Sequence, residues 1–269
     1  MADKIRADLA LVRQGLAASR ERAQAMIMAG QVYVKEVKII KSSDKVDESE
    51  ELIVRGHIHP FVGRGALKLD KAVKAFGADV EGVIAMDIGA ATGGFTDVLL
   101  QNGAKHVYAI DVGYGQLDWK IRNDERVTVL ERTNARYLTE KEIPEVPSIT
   151  VMDVSFISVK LILPVAAALM QKKGIFYILI KPQFEAGREF VGKKGVVRDP
   201  KIHIQVISEI ASFVPSFGYR MAQIDFSPIT GPEGNIEYIT QLLPQNESPA
   251  VTQDRIDEVV ALAHKMLAK

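Results

Sequence analysis

Residues 87–96 read Asp-Ile-Gly-Ala-Ala-Thr-Gly-Gly-Phe-Thr and directly follow the apolar run Val83-Ile84-Ala85-Met86. The apolar run has the composition of a buried strand, and it ends in a carboxylate, Asp87. The glycines that follow are typical of a tight turn that opens into a helix, which is how doubly wound α/β sheets hold a cofactor. This stretch therefore predicts an α/β fold with a cofactor site at the end of one central strand.

The spacing of the glycines indicates which kind of cofactor this turn would bind. The dinucleotide fingerprint G-x-G-x-x-G is absent, because the glycines stand at positions 89, 93 and 94. The carboxylate of Asp87 would repel a pyrophosphate but would attract a cofactor that carries positive charge, which favours S-adenosylmethionine. A turn in which the glycines only shape the backbone is the alternative. The residues predicted to bind the cofactor in this segment are Asp87, Gly89, Ala90, Thr92, Gly93, Gly94 and Phe95.

The composition excludes several classes of protein. The chain has 269 residues, no cysteine and a formal net charge of zero. Without cysteine there are no disulfides, no iron–sulfur clusters and no cysteine nucleophile of the kind that attacks a pyrimidine ring carbon. With no net charge, binding to nucleic acid depends on local basic patches. No apolar run has the length of a membrane span and no apolar signal segment is present, so we expect a cytoplasmic protein.

The pattern along the chain predicts two domains. Residues 1–59 read as a small α+β domain, and residues 60–63 as a linker. The neighbouring His57 and His59 are better explained by a polar linker than by a metal site, and no metal is predicted. Residues 64–269 alternate strands and helices, as in a mostly parallel seven-stranded sheet. The predicted strands are 83–87, 106–111, 126–130, 149–153, 175–180, 221–226 and 236–241, the last of them antiparallel, and a final helix spans 253–268.

Polar residues follow the second and third predicted strands, at the sheet edge where open α/β sheets bind cofactors. Asp111 lies 24 residues after Asp87, which suits an acid that accepts hydrogen bonds from ribose hydroxyls, although an aspartate here is also a common helix cap. Asn134 has a side chain able to bind an adenine edge. The residues predicted to contact the cofactor in these two segments are Asp111, Val112, Asn134 and Ala135.

The fourth and fifth predicted strands end in groups that suit chemistry on oxygen. Asp153 ends the fourth strand, and the residues after it lack the Asn/Asp-Pro-Pro-aromatic motif of enzymes that methylate exocyclic base amines. The fifth strand is strongly apolar and ends in Lys181, whose charged form is disfavoured by desolvation. Such a lysine acts as a base or steadies a developing alkoxide, unless its side chain reaches out to solvent.

Two further charged residues complete this constellation. Glu237 falls within the last predicted strand, where an acid among apolar residues needs a partner. Lys68 lies on the first helix of the second domain, and its spacing with Lys71 and Lys74 equally suits an exposed basic stripe. If Lys68 and Glu237 turn towards the strand ends, alternating lysines and acids would hold a hydroxyl at the methyl donor.

The small domain is locally basic. Its first 45 residues hold nine Lys or Arg against five Asp or Glu. These cations form either one face that binds nucleic acid or a solvated helix surface.

The chain resembles the TlyA family of ribosomal RNA 2′-O-methyltransferases, some members of which carry the older label haemolysin. The resemblance covers essentially the whole chain, and residues 1–55 are similar to a small RNA-binding fold of ribosomal proteins and pseudouridine synthases. Its most specific segments are 87–97, 111–117, 153–158, 181–188, 195–200 and 227–237.

This resemblance implies a Rossmann-like, FtsJ-type class I methyltransferase that uses S-adenosylmethionine and releases S-adenosylhomocysteine. It implies a catalytic Lys-Asp-Lys-Glu set in which Lys181 activates a ribose 2′-hydroxyl of cytidine, in ribosomal RNA of the large subunit or of both subunits. The catalytic set falls on Lys68, Asp153, Lys181 and Glu237, and the residues predicted to bind RNA are Arg6, Arg20, Lys41, Arg64, Arg132, Arg136 and Arg188. A non-catalytic RNA-binding or ribosome-assembly factor and a membrane-lytic protein are the alternatives.

Overall fold

The chain divides into two compact units, residues 1–59 and residues 60–269. The computed structural model describes residues 4–28, 30–54, 59–246 and 249–268, so His57 lies outside the described residues. Each unit has its own hydrophobic core.

The first unit combines two short helices with two small antiparallel sheets. Its elements are β1 (Lys4–Arg6), α1 (Ala7–Arg13), α2 (Arg20–Met28), β2 (Val32–Val34), β3 (Val37–Lys38), β4 (Lys45–Asp47) and β5 (Leu52–Val54). β1 pairs with β4, and β2 lies between β3 and β5. Both helices turn small and apolar side chains inward, where Leu11 and Ile27 pack in one core with Val32 and Leu52.

A buried carboxylate, Asp8, joins the two helices of the first unit. The side chain of Asp8 is fully buried, and it accepts hydrogen bonds from Arg6 at 2.9 Å, from Arg20 at 3.1 Å and from Gln24 at 3.0 Å. The bond from Arg6, helped by Gln24 and Arg20, outweighs burial and holds the pKa of Asp8 well below its usual range. Arg6 and Arg20, which the sequence predicts to bind RNA, therefore also have a structural partner.

We expect Asp8→Ala to destabilise helices α1 and α2 by about 2 kcal/mol, because several hydrogen bonds to a buried charge are lost. Since the pKa of Asp8 is lower in the folded than in the unfolded chain, its stabilisation is complete above the ordinary aspartate pKa of about 4 and is lost as the pH falls below it. Amide hydrogen exchange of α1 and α2 in the full chain measures this difference, which should shrink on acidification. The exposed acid Glu51 is the control, and Glu51→Ala should match the wild type at each pH.

The second unit is a seven-stranded sheet with helices on both faces. Its strands are β6 (Ile84–Ile88), β7 (His106–Ile110), β8 (Val127–Leu130), β9 (Ile149–Met152), β10 (Ile175–Ile180), β11 (Tyr219–Phe226) and β12 (Tyr238–Pro244). Its helices are α3 (Ala66–Phe76), α4 (Gly94–Gln101), α5 (Trp119–Arg122), α6 (Leu163–Leu169), α7 (Pro182–Glu185), α8 (Pro200–Phe213) and α9 (Gln253–Leu267). None of the helices in the described ranges is long and apolar enough to cross a membrane.

The strand order is β8-β7-β6-β9-β10-β12-β11, and among these described strands β12 alone runs opposite to the other six. The predicted mostly parallel α/β sheet with one late antiparallel strand is confirmed. In β10, Phe176, Ile178 and Ile180 pack into the core on one face, and Tyr177 and Leu179 pack into the core on the other. Because both faces are buried, the strand reads as a continuous apolar run.

All seven predicted strands are present, the strand at 175–180 with exact ends and the others with ends that differ by at most three residues. The prediction that Glu237 lies inside the last strand is wrong, because β12 begins at Tyr238. The register of β11 and β12 ends where Phe226 faces Tyr238, and one further backbone bond, from the amide of Ser227 to the carbonyl of Glu237 at 2.8 Å, closes the pair before the loop. Glu237 therefore stands at the mouth of the sheet, at the edge where the parallel strands end.

The segment predicted as a linker, residues 60–63, packs on the second unit. Phe61 is buried, and the amide of Val62 donates a hydrogen bond to Asp97 at 2.9 Å. These contacts tie the segment to α4.

Candidate active site

The carboxyl ends of β6, β7, β8 and β9 open into a cleft of about 340 Å³, which we call the Gly89 cleft. The chain that follows each of these strands contributes a wall. Of the residues predicted to bind the cofactor or to be catalytic, those that line the cleft are Gly89, Asp111, Val112, Asn134, Ala135 and Asp153.

The turn after β6 has room only for glycine at position 89. Gly89 has a φ of +86°, and a Cβ placed on it would stand 2.5 Å from the carbonyl oxygen of Asp153. The next loop is held by Asp111, whose carboxylate accepts the amides of Ala91 at 2.8 Å and Gly113 at 2.6 Å. The aspartate predicted to bind ribose therefore also joins two loops of the cleft wall.

Several of the predicted cofactor residues lie behind the wall instead of lining it. A Cβ on Gly93 would stand 2.9 Å from the side chain of Leu117, and one on Gly94 would stand 3.0 Å from the amide of Ala66. These two glycines thus permit close packing of helices, whereas the sequence predicts that they let a ligand approach. The others that do not line the cleft are Asp87, Ala90, Thr92 and Phe95.

Asp87 is a buried acid with an incomplete set of partners. One oxygen accepts a hydrogen bond from Thr96 at 2.6 Å, and the other has no donor among the described residues. Burial raises the pKa of Asp87 to about 7. A cationic group near this carboxylate would favour its charged form.

Four charged residues from distant parts of the chain meet beside the cleft and form what we call the lysine–carboxylate cluster: Lys68, Asp153, Lys181 and Glu237. Lys68 Nζ lies 2.6 Å from Glu237 Oε2 and 3.3 Å from Asp153 Oδ2. Lys181 Nζ lies 2.5 Å from Asp153 Oδ1. The side chains of the two lysines are each 9% exposed, that of Asp153 18% and that of Glu237 2%. The predicted catalytic set is thus brought together, and Lys68 belongs to it instead of to an exposed stripe.

The charges within the cluster support one another. Burial disfavours the ammonium form of Lys68, but the charges of Asp153 and Glu237 outweigh this effect and raise the pKa of Lys68. Gln183 donates a hydrogen bond to Glu237 at 3.3 Å. Two lysines and two carboxylates sum to no net formal charge, so the cluster is compensated although it is largely buried.

Lys181 connects the cluster to the cleft. Its Nζ donates to the hydroxyl of Ser155 at 3.0 Å, and both Ser155 and Asp153 line the cleft. The next residue, Phe156, is 90% exposed and has a φ of +64°, which is rare for an aromatic residue. Sequence reasoning did not predict roles for Ser155, Phe156 or Gln183, although the first two lie two and three residues after Asp153 in the chain.

The arginines predicted to bind RNA in the second unit lie around this edge of the sheet. Arg132 stacks on the ring of Tyr114 at 4.2 Å, and Arg136 lies 5.2 Å from the ring of Tyr137. Arg64 donates to the carbonyl of Thr230 at 2.5 Å. Arg188 lies in a short 3₁₀ turn after α7, and Lys41 is exposed in the first unit. Within the described ranges, no group of three or more acids and histidines has the arrangement of a metal site.

Two family models match the chain. Residues 61–242 match the FtsJ-like methyltransferase model, and residues 5–58 match the S4 domain. The chain belongs to the FtsJ-like methyltransferase family. The fold of the second unit is accordingly that of S-adenosylmethionine-dependent methyltransferases.

Relatives of this FtsJ-like methyltransferase align along nearly its whole length. "Putative rRNA methyltransferase YqxC" from Bacillus subtilis is 49% identical over 98% of this chain and 95% of its own. "16S/23S rRNA (cytidine-2'-O)-methyltransferase TlyA" from Mycobacterium tuberculosis is 43% identical over 92% of each chain. The solved structure "Putative hemolysin from Streptococcus thermophilus" has a TM-score of 0.77 and 44% identity, and covers 98% of this chain and 97% of that one. The predicted resemblance to the TlyA family is confirmed.

The Gly89 cleft fits the cofactor of this methyltransferase fold. The glycine turn leaves space where a Cβ would close the cleft. Asp87 lies behind the cleft wall with one oxygen that lacks a donor among the described residues, and in its charged form it would favour a cationic methyl donor nearby. Asp111 and Asn134 present polar atoms from the two neighbouring strands, which suits a ligand with a ribose and a base.

We expect Gly89→Ala to weaken S-adenosylhomocysteine binding by about a hundredfold or more, which is about 3 kcal/mol. The added methyl group would meet the carbonyl of Asp153 at 2.5 Å and would push the cleft wall inward. Gly115→Ala is the matched control, because Gly115 also has a positive φ, of +70°, but nothing lies within 4 Å of its Cβ position. Calorimetric titration measures the S-adenosylhomocysteine affinity of the two variants. If both lose the same affinity, the cause is backbone strain alone and not the contact with Asp153.

Proposed function

We propose that this protein transfers the methyl group of S-adenosylmethionine to the ribose 2′-hydroxyl of a cytidine in ribosomal RNA. The observation that supports this most directly is the lysine–carboxylate cluster, because it holds the amine of Lys181 at the wall of the Gly89 cleft. An amine and a carboxylate in a largely dry site can hold and deprotonate an alcohol.

The residues that would hold the cofactor surround the cleft. The turn at Gly89 would hold its methionine end, with the charge of Asp87 behind the wall, Asp111 would hold its ribose, and Asn134 with Ala135 its adenine. When bound, S-adenosylmethionine supplies an electrophilic methyl group.

The remaining catalytic work falls to the chain's own side chains. Lys181 Nζ would hold the 2′-hydroxyl in line with the methyl group and, in its amine form, would take the hydroxyl proton as the carbon–oxygen bond forms. Asp153, 2.5 Å away, positions Lys181 and stabilises the ammonium that results. Lys68 lies between Asp153 and Glu237 and keeps the first carboxylate in place.

The distribution of paired arginines supports an RNA substrate. Away from the candidate site, Arg122, Arg126 and Arg255 each pair with an acid. Around the strand ends the arginines have no ion pair with any described residue, and their charge is available to phosphates. These are Arg64, Arg132, Arg136, Arg188 and Arg198. Phe156 adds an exposed aromatic face, on which an unstacked base packs well.

The first unit supports the same substrate. It matches the S4 domain, and its exposed Lys41 and partly exposed Arg6 and Arg20 would contact the RNA backbone. The relative TlyA from Mycobacterium tuberculosis is named for the 2′-O-methylation of cytidine in 16S and 23S rRNA. We extend that activity to this chain. The substrates to test are rRNA of the large ribosomal subunit first, and rRNA of both subunits second.

Transfer of a radiolabelled methyl group from S-adenosylmethionine to purified rRNA, and separately to intact ribosomal subunits, tests the proposal. We expect label in RNA, and mass spectrometry of nuclease digests should find it as 2′-O-methylcytidine. Label on a base would contradict the ribose assignment. RNA binding without any transfer would favour a non-catalytic RNA-binding protein.

A further inference from the structure

A second pocket, of about 430 Å³, opens at the same edge of the sheet and lies outside the Gly89 cleft. We call it the Arg198 pocket. One wall is the segment before α8, with Val196, Val197 and Arg198, and another is the loop that joins β11 to β12. Arg64 and the end of α9, with His264, complete the lining. None of these residues belongs to the lysine–carboxylate cluster.

The Arg198 pocket has a basic rim and an apolar interior. Arg64 and Arg198 are both exposed and form no ion pair with a described residue. Glu233 is the only acid among the described residues that line the pocket. Val196, Val197 and Ile236 are buried and contribute apolar atoms to the lining. A ligand that combines an anionic group with a flat, weakly polar body matches this arrangement.

The pocket shares a wall with the lysine–carboxylate cluster. Gly231 lines the pocket, and a Cβ placed on it would stand 2.9 Å from Glu237 Oε1. The amide of Gly231 donates to the carbonyl of Asn235 at 2.9 Å, which holds this loop closed. A ligand in the pocket therefore lies one backbone layer away from the cluster.

The walls of the pocket are held rigidly to the strand that follows Glu237. Asn235 accepts the amide of Val197 at 3.1 Å and donates to the carbonyl of Gly195 at 2.9 Å. His203 is fully buried. Its Nε2 lies 2.9 Å from the carbonyl oxygen of Val197, and its Nδ1 lies 2.8 Å from the hydroxyl of Tyr238. Because a carbonyl only accepts, His203 donates to Val197 through Nε2, and burial lowers the pKa of His203 to about 4, so the neutral ring accepts through Nδ1, which lies 2.8 Å from the Tyr238 hydroxyl and 3.2 Å from His264 Nε2. The pocket is thus preformed.

We propose that the Arg198 pocket binds a second nucleotide of the RNA, one that flanks the methylated nucleotide, with its phosphate at Arg64 and Arg198 and its base on the apolar interior. This inference rests on the proposed function for the identity of the ligand. Single-stranded RNA is bound by arginine contacts to its backbone and by packing of splayed bases, which here would lie on aliphatic side chains. The volume of the pocket is within the range of small-ligand sites. A flanking subsite would fix the register of the RNA relative to Lys181.

Two pairs of variants test the pocket, with purified rRNA from cells that lack this protein as the probe. Arg198→Ala removes the charge from the rim, and Lys173→Ala is its control, an exposed cation at the opposite edge of the sheet. Ala268→Trp fills the pocket from its exposed rim, and Met266→Trp adds the same side chain to an exposed position that does not line it. Binding is measured over a range of salt concentrations, and methylation kinetics are measured separately.

We expect Arg198→Ala to weaken rRNA binding by about tenfold, with the salt slope reduced by about 1, and to raise KM with little change in kcat. Ala268→Trp should raise KM similarly without changing the salt slope, and both controls should match the wild type. If only Arg198→Ala weakens rRNA binding, the proposal is overturned, because Arg198 would then contact the RNA backbone outside the pocket. The proposal is also overturned if neither Arg198→Ala nor Ala268→Trp weakens binding. If the wild type binds RNA with this pattern but transfers no methyl group, the proposed function fails and the RNA pocket stands.

Discussion

Replacement of Lys181 by alanine is expected to lower kcat for methyl transfer by about a thousandfold, with binding of S-adenosylhomocysteine nearly unchanged. Lys181 Nζ is held at the wall of the Gly89 cleft by Asp153 at 2.5 Å and Ser155 at 3.0 Å. Its loss removes the group that would align and deprotonate the ribose hydroxyl. The residues predicted to bind the cofactor lie on other loops, so we expect the affinity for S-adenosylhomocysteine to be kept while turnover falls. Single-turnover methylation with saturating cofactor measures the effect on the chemical step.

Two companion variants sharpen this result. Lys74→Ala also removes a lysine that pairs with an acid, Asp70 at 2.7 Å, but it lies on the exposed face of α3 and should keep wild-type turnover. Lys181→Arg keeps a positive charge that is not given up at ordinary pH. If Lys181 accepts a proton, arginine should restore little activity. Full activity in Lys181→Arg would instead assign the residue a purely electrostatic role.

The second large effect concerns stability. Lys68→Met is expected to destabilise the second unit by about 3 kcal/mol and to abolish most activity, because it leaves Glu237 buried without its nearest counter-charge. The side chain of Glu237 is 2% exposed, and Lys68 Nζ at 2.6 Å is its closest cation. Urea unfolding followed by near-ultraviolet circular dichroism, to which the buried Tyr177, Tyr219 and Tyr238 contribute, reports on this unit.

A double variant separates the structural from the catalytic contribution. In Lys68→Met with Glu237→Gln, the uncompensated charge is gone and the pair between Lys181 and Asp153 remains. We expect stability to return to within about 1 kcal/mol of the wild type, whereas activity should stay low because the carboxylate that orders the cluster is missing. A double variant as unstable as Lys68→Met would show that the loss comes from packing of the lysine stem, not from the buried charge.

Most of the sheet could be predicted from local patterns. Every parallel strand is an apolar run bounded by turn residues, and both faces of β10 are covered, so the signal was strong. Asp153 and Lys181 could be located from the same patterns because each follows directly after a strand, where the chain must reach the sheet edge. Asp111 was located in the same way.

The positions of residues that depend on long-range packing were harder to predict from the sequence. Lys68 and Glu237 are 169 positions apart, and the sequence pattern joined them only on the condition that both side chains turn towards the strand ends. Local periodicity placed Glu237 inside a strand, whereas it directly precedes β12 and its side chain pairs with Lys68. The packing roles of Gly93 and Gly94 could be seen only in the structure, because the spacing of glycines in the sequence does not determine the distance between helices.

The order of residues along the chain was enough to establish a cofactor turn, a lysine and an aspartate at strand ends, and a fold that brings such ends to one edge. Tertiary structure decided which charges compensate one another, that Arg6 and Arg20 share a buried aspartate, and that a second pocket lies behind Glu237. The physical reason is that turns and strands depend on neighbouring residues. Ion pairs and cavities depend on distances between side chains, and these exist only once the sheet has folded.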